Sequence, residues 1–389
     1  MRNMKLLFVH DGPLYKDKEG NYYEYSYHGL YERYSYIADD ITFLMRVAPL
    51  TENTKGTLLS RDLHVIEVPN FKTIKNYWKN KCSAKKIIRN AVLNSDCLVL
   101  RNSSCASIAI EFAKKLNKPY IFECVGCCWD SLWNHSLLGK IIAPYEYLRT
   151  RFFISKAPFV YYVTNEFLQK RYPTSGLSIG CSNVVLEDLD ETILQKRLKR
   201  IHSMTGKREL VVGTAAALDV RYKGQEYVIK AISDLKKSKI SLHYKLAGGN
   251  RKNSTFLYDL AKKNRVLENV EFCGSLSAKE MNDFYDSIDI YIQPSKQEGL
   301  PRSVIEAMGR GCPVIGSDIA GIPELIQKEN LFRSGDYKDL AKHIKKLLLS
   351  DLEQTSKENF RKSMDYQKKN LDAKRKDFYD LFLDSILAK

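Results

Sequence analysis

The sequence predicts an α/β protein made of two tandem doubly wound domains that face each other across a cleft. Three observations lead there. The chain has 389 residues, more than one hydrophobic core usually serves, so two domains are expected. Short apolar runs without clean polar alternation recur along it, separated by amphipathic segments, as in a parallel sheet buried on both faces. The alternation pauses at a charged stretch near residues 187–208 and then starts again.

In the first half, KLLFVHD (5–11) reads as a buried strand and HGLYERYSYIAD (28–39) as a helix with apolar and aromatic positions on one face. DITFLMRV (40–47), LHVIEVP (63–69) and DCLVLR (96–101) continue the strand series. SIAIEFAKKLN (107–117) is an amphipathic helix that leads through Pro119 into strand YIFECV, and strand APFVYYVT (157–164) precedes helix NEFLQKRY. EDLDETILQKRLKRIHSMTGKRE is helical, highly charged and poor in core material, as a connector would be. Beyond it lie strand LVVGTA (210–215), helix EYVIKAISDLKK (226–237), strand SLHYKLAGG (241–249) and helix FLYDLAKKNRV (256–266). Strand NVEFCG (269–274), helix AKEMNDFYDSI (278–288), strand DIYIQPS (289–295), strand PVIGSD (313–318) and a helix at PELIQ follow, with lysine-rich helices over 336–389. The expected division is 1–187, a linker 188–208, 209–360, and a terminal helix in 361–389 that packs back towards the first domain.

Hydrophobic content of 44% with 28% charged residues is ample for packed interiors. The opening MRNMKLLFVHDGP has too short an apolar run for a signal peptide, and no stretch approaches the ~18 apolar residues of a membrane span. The expected place is the cytoplasm, on the inner face of a membrane if it meets one. Nine cysteines are scattered through apparent strands and helices, which suits small buried residues in a reducing compartment. The cluster Cys124, Cys127 and Cys128 has no second ligand pair at zinc spacing, so packing is the preferred reading and no metal is expected. A net charge of +16 suits nucleic acid, an anionic membrane surface or phosphorylated small molecules. No nucleic-acid-binding motif accompanies it, and no nucleic acid partner is expected.

One stretch carries chemistry. In EGLPRSVIEAMGRGCPVIGSD (298–318), Glu298 falls in the loop after strand DIYIQPS. Glu306 falls about one and a half turns into a helix that Pro301 opens and Gly309 and Gly311 end. The amides of Gly299 and Leu300 at that helix start suit a phosphate. Two carboxylates beside a phosphate suit hydroxyls instead, because a carboxylate accepts their hydrogen bonds. A ligand with phosphates in the middle and sugars at both ends uses every part of the site, which describes a nucleotide sugar.

The same residues carry a resemblance. PSKQEGLPRSVIEAMGRGCPVIGSDIAGIPELI, with E298-x7-E306 inside it, resembles the signature of retaining glycosyltransferases with two facing Rossmann-like domains, the GT-B architecture, and of its family 4 (glycosyl transferases group 1). The likeness is strong over about 205–330. It implies a metal-independent hexosyltransferase in which Glu306 binds the donor ribose and Glu298 meets the donor sugar. Gly299, Leu300 and Pro301 would line the sugar and phosphate, and residues near Gly274 and Ser275 the nucleobase. It also implies a basic pair on the diphosphate. Lys223 stands in place within VVGTAAALDVRYKGQE, whereas the usual arginine is Ala217 and Arg221 is the nearest substitute. The first domain would hold a glycan or lipid-linked acceptor of cell-surface polysaccharide synthesis. Its HDGPLYKDKEG offers Gly12 without the usual double glycine, and Val125 stands where a histidine is common, with Glu123 and Asp130 nearby. Asp188 and Asp190 form a D-x-D, a pattern some transferases use to hold a metal, but acids that open a helix suit its dipole.

FKTIKNYWKNKCSAKKIIRN (71–90) contains Lys72, Lys75, Lys79, Lys81, Lys85, Lys86 and Arg89 with Phe71, Tyr77 and Trp78 and no acid. It reads either as a solvated helix face or as a contact for an anionic membrane. The basic, aromatic YEYLRTRFFISK (145–156) favours the membrane. Two other classes remain open: a nucleotide-sugar epimerase or hydrolase on the same architecture, and a basic nucleic-acid binder.

Overall fold

The computed structural model describes residues 4–24, 29–51, 56–59, 63–72, 74–187, 189–204, 209–249 and 254–388, without the side chains of 74–77. His28, Asp188 and the side chains of Lys75 and Tyr77 therefore lie outside the described residues.

The first sheet is built on seven parallel strands in the order Leu177–Gly180, Phe159–Tyr162, Tyr120–Cys124, Cys97–Arg101, Lys5–Val9, Asp40–Pro49, His64–Val68. Cys97–Arg101 and Tyr120–Cys124 are buried at every position, as unbroken apolar runs require when helices cover both faces. The short strands Leu14–Lys16, Tyr22–Glu24 and Thr57–Leu58, which the sequence reading did not separate, extend one edge. The helix expected over 28–39 is only Leu30–Tyr34. The second sheet is wholly parallel, in the order Val270–Gly274, Ser241–Ala247, Glu209–Ala215, Ile290–Gln293, Val314–Ser317, Leu331–Phe332.

Each sheet is wound outwards from a central strand in one direction and then in the other. In the first the order reverses between Lys5–Val9 and Cys97–Arg101, and in the second between Glu209–Ala215 and Ile290–Gln293. At such a point the flanking loops leave in opposite directions and open a crevice at the carboxyl ends of the strands. The two crevices face each other.

The charged segment after residue 187 is the helix Glu191–His202, and it is docked rather than free. Arg197 is buried against the second domain, donating to the carbonyls of Ile288 at 2.6 Å and Tyr285 at 2.7 Å. Its charge pattern hid a buried arginine that acts as a clamp. PELIQ is a 3-10 turn, Ile322–Glu324, instead of a helix. The terminal helix Lys368–Leu387 lies on the first domain: Phe378 and Phe382 meet Phe159 edge-on, and Arg375 donates to the Ser182 carbonyl at 2.6 Å. One apolar cluster runs from the first sheet through this helix to Leu300 and Val304 beside the second crevice.

A polar contact and a close backbone approach join the two domains. The Glu324 carboxylate accepts from the backbone amides of Asn165 (2.7 Å), Glu166 (3.1 Å) and Phe167 (2.6 Å) in the first domain. A Cβ on Gly299 would stand 2.5 Å from the Val125 carbonyl oxygen, so only glycine permits that approach.

Candidate active site

The facing crevices form one cavity of about 1120 Å³, lined from the second domain by Tyr222, Lys223, Gln297, Glu298 and Gly299. Two loops supply these residues, one after each switch-point strand. They are tied together by the Lys296 amide, which donates to the Tyr222 carbonyl at 2.7 Å. Gly224 makes the closeness possible: its φ is 75°, and a Cβ there would lie 2.0 Å from the Pro294 carbonyl oxygen. Lys223 is thereby held against the loop that carries Glu298.

The ammonium of Lys223 donates to Glu298 Oε1 at 2.6 Å. Ser295 Oγ donates to the same oxygen at 2.7 Å and Gln293 Nε2 at 3.0 Å. The chain of bonds continues inwards, with Tyr291 donating to Gln293 Oε1 at 2.8 Å. Among the described residues none donates to Oε2, so the carboxylate presents one committed oxygen and one available to the cavity. Glu306 stands on the helix Arg302–Gly309 and accepts from the Tyr285 hydroxyl at 2.7 Å. Both carboxylates bear on Tyr291, whose hydroxyl pKa is driven upwards by burial first and then by Glu306 and Glu298.

The arrangement is that of a site with a carboxylate anchored by three donors and a paired cation, just before the helix Arg302–Gly309. Residues 198–370 match the family described as glycosyl transferases group 1. The chain is 32% identical over 404 aligned positions to Protein CapJ of Staphylococcus aureus, covering 99% of this chain and 98% of that one. The chain belongs to the glycosyl transferases group 1 family. It is also 32% identical over 119 residues, 31% of each chain, to the O-antigen biosynthesis glycosyltransferase WclY of Escherichia coli. Its fold is similar to that of Anabaena HepE in complex with UDP-glucose, with a TM-score of 0.63 at 16% identity over 99% of this chain and 100% of that one. The protein has the GT-B fold.

For a glycosyltransferase of this fold, the residues singled out in the sequence fall into two sets. Glu298, Gly299, Lys223 and Gly12 line the cavity. Glu306, Leu300 and Pro301 lie immediately behind it on the helix and its cap, with Leu300 and Pro301 buried. Gly274, with φ 78°, and exposed Ser275 end the edge strand Val270–Gly274 away from the cavity lining. Arg221 is exposed and lies over the Phe256 ring at 4.9 Å. It is not among the residues that line the cavity.

The first-domain wall departs further from expectation. Glu123 is buried in an ion pair with Arg101 at 2.8 Å and accepts from Tyr34 at 2.8 Å, and Asp130 pairs with Arg171 at 3.2 Å. Neither carboxylate lines the cavity. Cys127 and Cys128 surround the Tyr172 hydroxyl at 3.3 and 3.1 Å, and burial lifts the Cys127 thiol to about 11. The polar groups that do reach the cavity include His10, Asp11, Lys72, Asn102 and Arg149. His10 and Asp11 directly follow the first strand at its switch point, a position that could have marked them. Asp11 accepts from the amides of Cys105 (2.9 Å) and Ser104 (3.1 Å) and pairs with Lys72. Burial opposes its charge, but Lys72 and those amides hold the carboxyl well below its ordinary value. His10 accepts from the Gly12 amide at Nδ1 (3.1 Å), and burial, then Arg101, holds its pKa down to about 3.

Proposed function

We propose that the protein is a retaining, family 4 hexosyltransferase that moves a sugar from a nucleotide-sugar donor to a glycan or lipid-linked acceptor in cell-surface polysaccharide synthesis. The observation that carries this reading is the Lys223–Glu298 pair at the second switch point, lining the cavity together with Gly299. Glu298 Oε2 meets the donor sugar hydroxyls, and Glu306 the ribose. The diphosphate sits at the start of the helix Arg302–Gly309, where its developing negative charge is stabilised by Lys223 and backbone amides rather than by a metal. As the sugar leaves, a phosphate oxygen takes the acceptor proton on the same face, so the reaction asks for no strong protein base. The names of the relatives support the pathway: WclY is an O-antigen biosynthesis glycosyltransferase, and HepE was solved with UDP-glucose. The working place is the inner face of the cell membrane, reached as a peripheral protein through the basic helix Ile74–Leu93.

The test is calorimetric titration of the full chain with a panel of nucleotide sugars including UDP-glucose, followed by NMR of the product's anomeric configuration. Binding of one donor and an unchanged configuration are expected. Binding of none, or inversion, removes the proposal.

A further inference from the structure

The helix Leu137–Ser155 has a face that none of the described residues covers. Its Gly139, Ala143, Thr150 and Ile154 are buried against the first domain. On the other side Leu137 (80% exposed), Ile141 (76%), Tyr145 (64%), Leu148 (64%) and Phe152 (57%) point outwards, with Leu138 beside them. At about 100° per residue these six fall within an arc of about 100°. Scattered surface leucines are ordinary, but a contiguous apolar stripe on one helix marks a contact site.

What surrounds the stripe says what it contacts. Lys140 lies over the Trp133 ring at 5.7 Å, and Lys114 and Lys156 each lie 5.8 Å from the Phe152 ring. Lys114 is held below its ordinary pKa by burial and then by the nearby charge of Lys156, so cations are crowded there. Lys81 and Lys85 of the helix Ile74–Leu93 line the same cavity as Ile142, Tyr145 and Phe152. Two acids, Glu111 and Glu146, also reach the cavity, and Glu146 is paired with Arg149 at 2.9 Å. No helix among the described residues is long and apolar enough to cross a membrane. An apolar stripe flanked by lysines, on a helix that does not span, fits the headgroup boundary of an anionic bilayer: apolar side chains enter the acyl region and lysines meet phosphates. A protein partner would need a complementary acidic rim around an apolar ridge, whereas a bilayer supplies both by its composition.

We propose that the helix Leu137–Ser155 inserts its outer face into an anionic bilayer, so that the mouth of the active-site cavity opens at headgroup level. Because Ile142, Tyr145 and Phe152 belong both to the docking helix and to the cavity wall, an acceptor anchored in the bilayer reaches Glu298 without leaving it. This last step rests on the transferase reading; the insertion itself does not.

The experiment measures full-length protein on vesicles of phosphatidylglycerol mixed with phosphatidylcholine, and on phosphatidylcholine alone, with no donor present. Wild type should float with the anionic vesicles, and brominated acyl chains should quench its tryptophan fluorescence. The pair Ile141→Glu and Leu148→Glu, both exposed and so harmless to the fold, should lower partitioning by at least about tenfold and remove the quenching. Circular dichroism melting checks that the variant is folded. UDP binding, measured separately, reports on the transferase reading, which can fail while insertion stands. Insertion is overturned if wild type does not float, or if the double variant floats equally well. It is also overturned if brominated chains do not quench, which indicates charge contact alone, or if the variant merely dissociates a dimer that never binds vesicles.

Discussion

Lys223 Nζ and Glu298 Oε1 meet at 2.6 Å although 75 residues separate them, and both side chains are mostly withdrawn from solvent. A pair so placed contributes to stability and to function in different ways, and the two can be separated.

Lys223→Met should leave the Glu298 charge without its partner and lower stability by about 1–3 kcal/mol. Adding Glu298→Gln should restore much of the melting temperature. Activity should not return, because the diphosphate still lacks its cation, and a loss of about 10²–10³ in kcat is expected, as when one donor to a developing oxyanion is removed. Arg221→Ala should stay near wild type on both measures, since that guanidinium stacks on Phe256 away from the cavity. Equal loss from Arg221→Ala and Lys223→Met would mean that the Arg221–Lys223 turn rearranges when the donor binds.

Glu306→Ala should weaken nucleotide binding by about 1.5–3 kcal/mol, the range for hydrogen bonds to a charged group. Tyr285→Phe removes the hydroxyl that now occupies Glu306 Oε2 at 2.7 Å, and should change affinity far less while keeping the fold. Calorimetry on both variants checks this. If the tyrosine variant loses as much as the alanine variant, Glu306 acts through Tyr285 and not on the ligand.

Glu324→Ala should cost about 1–3 kcal/mol of stability, because the three first-domain amides it accepts from lose their acceptor at once. Calorimetric melting should broaden or split as the domains uncouple. A single sharp transition at the wild-type temperature would show that the apolar cluster alone fixes the domain spacing.

The parallel strands, the restart of the alternation and the Glu298–Glu306 stretch were legible because each is written locally, in apolar runs of four to seven residues and in turn glycines. The role of Glu324 was not, since its partners lie 157 to 159 residues away and nothing near it in sequence hints at them. Arg197 was not singled out within its charged segment, because an arginine among other basic residues looks the same whether or not carbonyls wait for it. Glu123 was noted as a polar group near Val125, where relatives often carry a histidine. Its buried pairing with Arg101 depends on the register of neighbouring strands, which sequence does not display. The helix Leu137–Ser155 was half seen: its basic and aromatic part, 145–156, was noticed, while Leu137 and Ile141 were not singled out because their exposure depends on the fold.

The last prediction concerns acid stability. His10 is stacked on Phe8 and accepts a hydrogen bond at Nδ1 from the Gly12 amide, so a proton there breaks that bond and places a charge beside Arg101, Lys72 and Arg46. Its folded pKa is about 3, against 6.5 ordinarily. Between those values the unfolded chain binds a proton that the folded chain refuses, so stability rises with pH through this window. The contribution is fully present above about pH 6.5 and is lost progressively as pH falls towards 3. His10→Asn, which keeps an acceptor but cannot titrate, should flatten the dependence of the melting temperature on pH between about 4 and 6.5. Asp11, held ionised by Lys72 well below its ordinary value, gives the same sign of dependence only at lower pH, so the two contributions separate. A wild-type melting temperature that does not fall from pH 6.5 to pH 4, or a variant that falls just as steeply, would show that burial and the neighbouring cations do not keep His10 neutral in the folded protein.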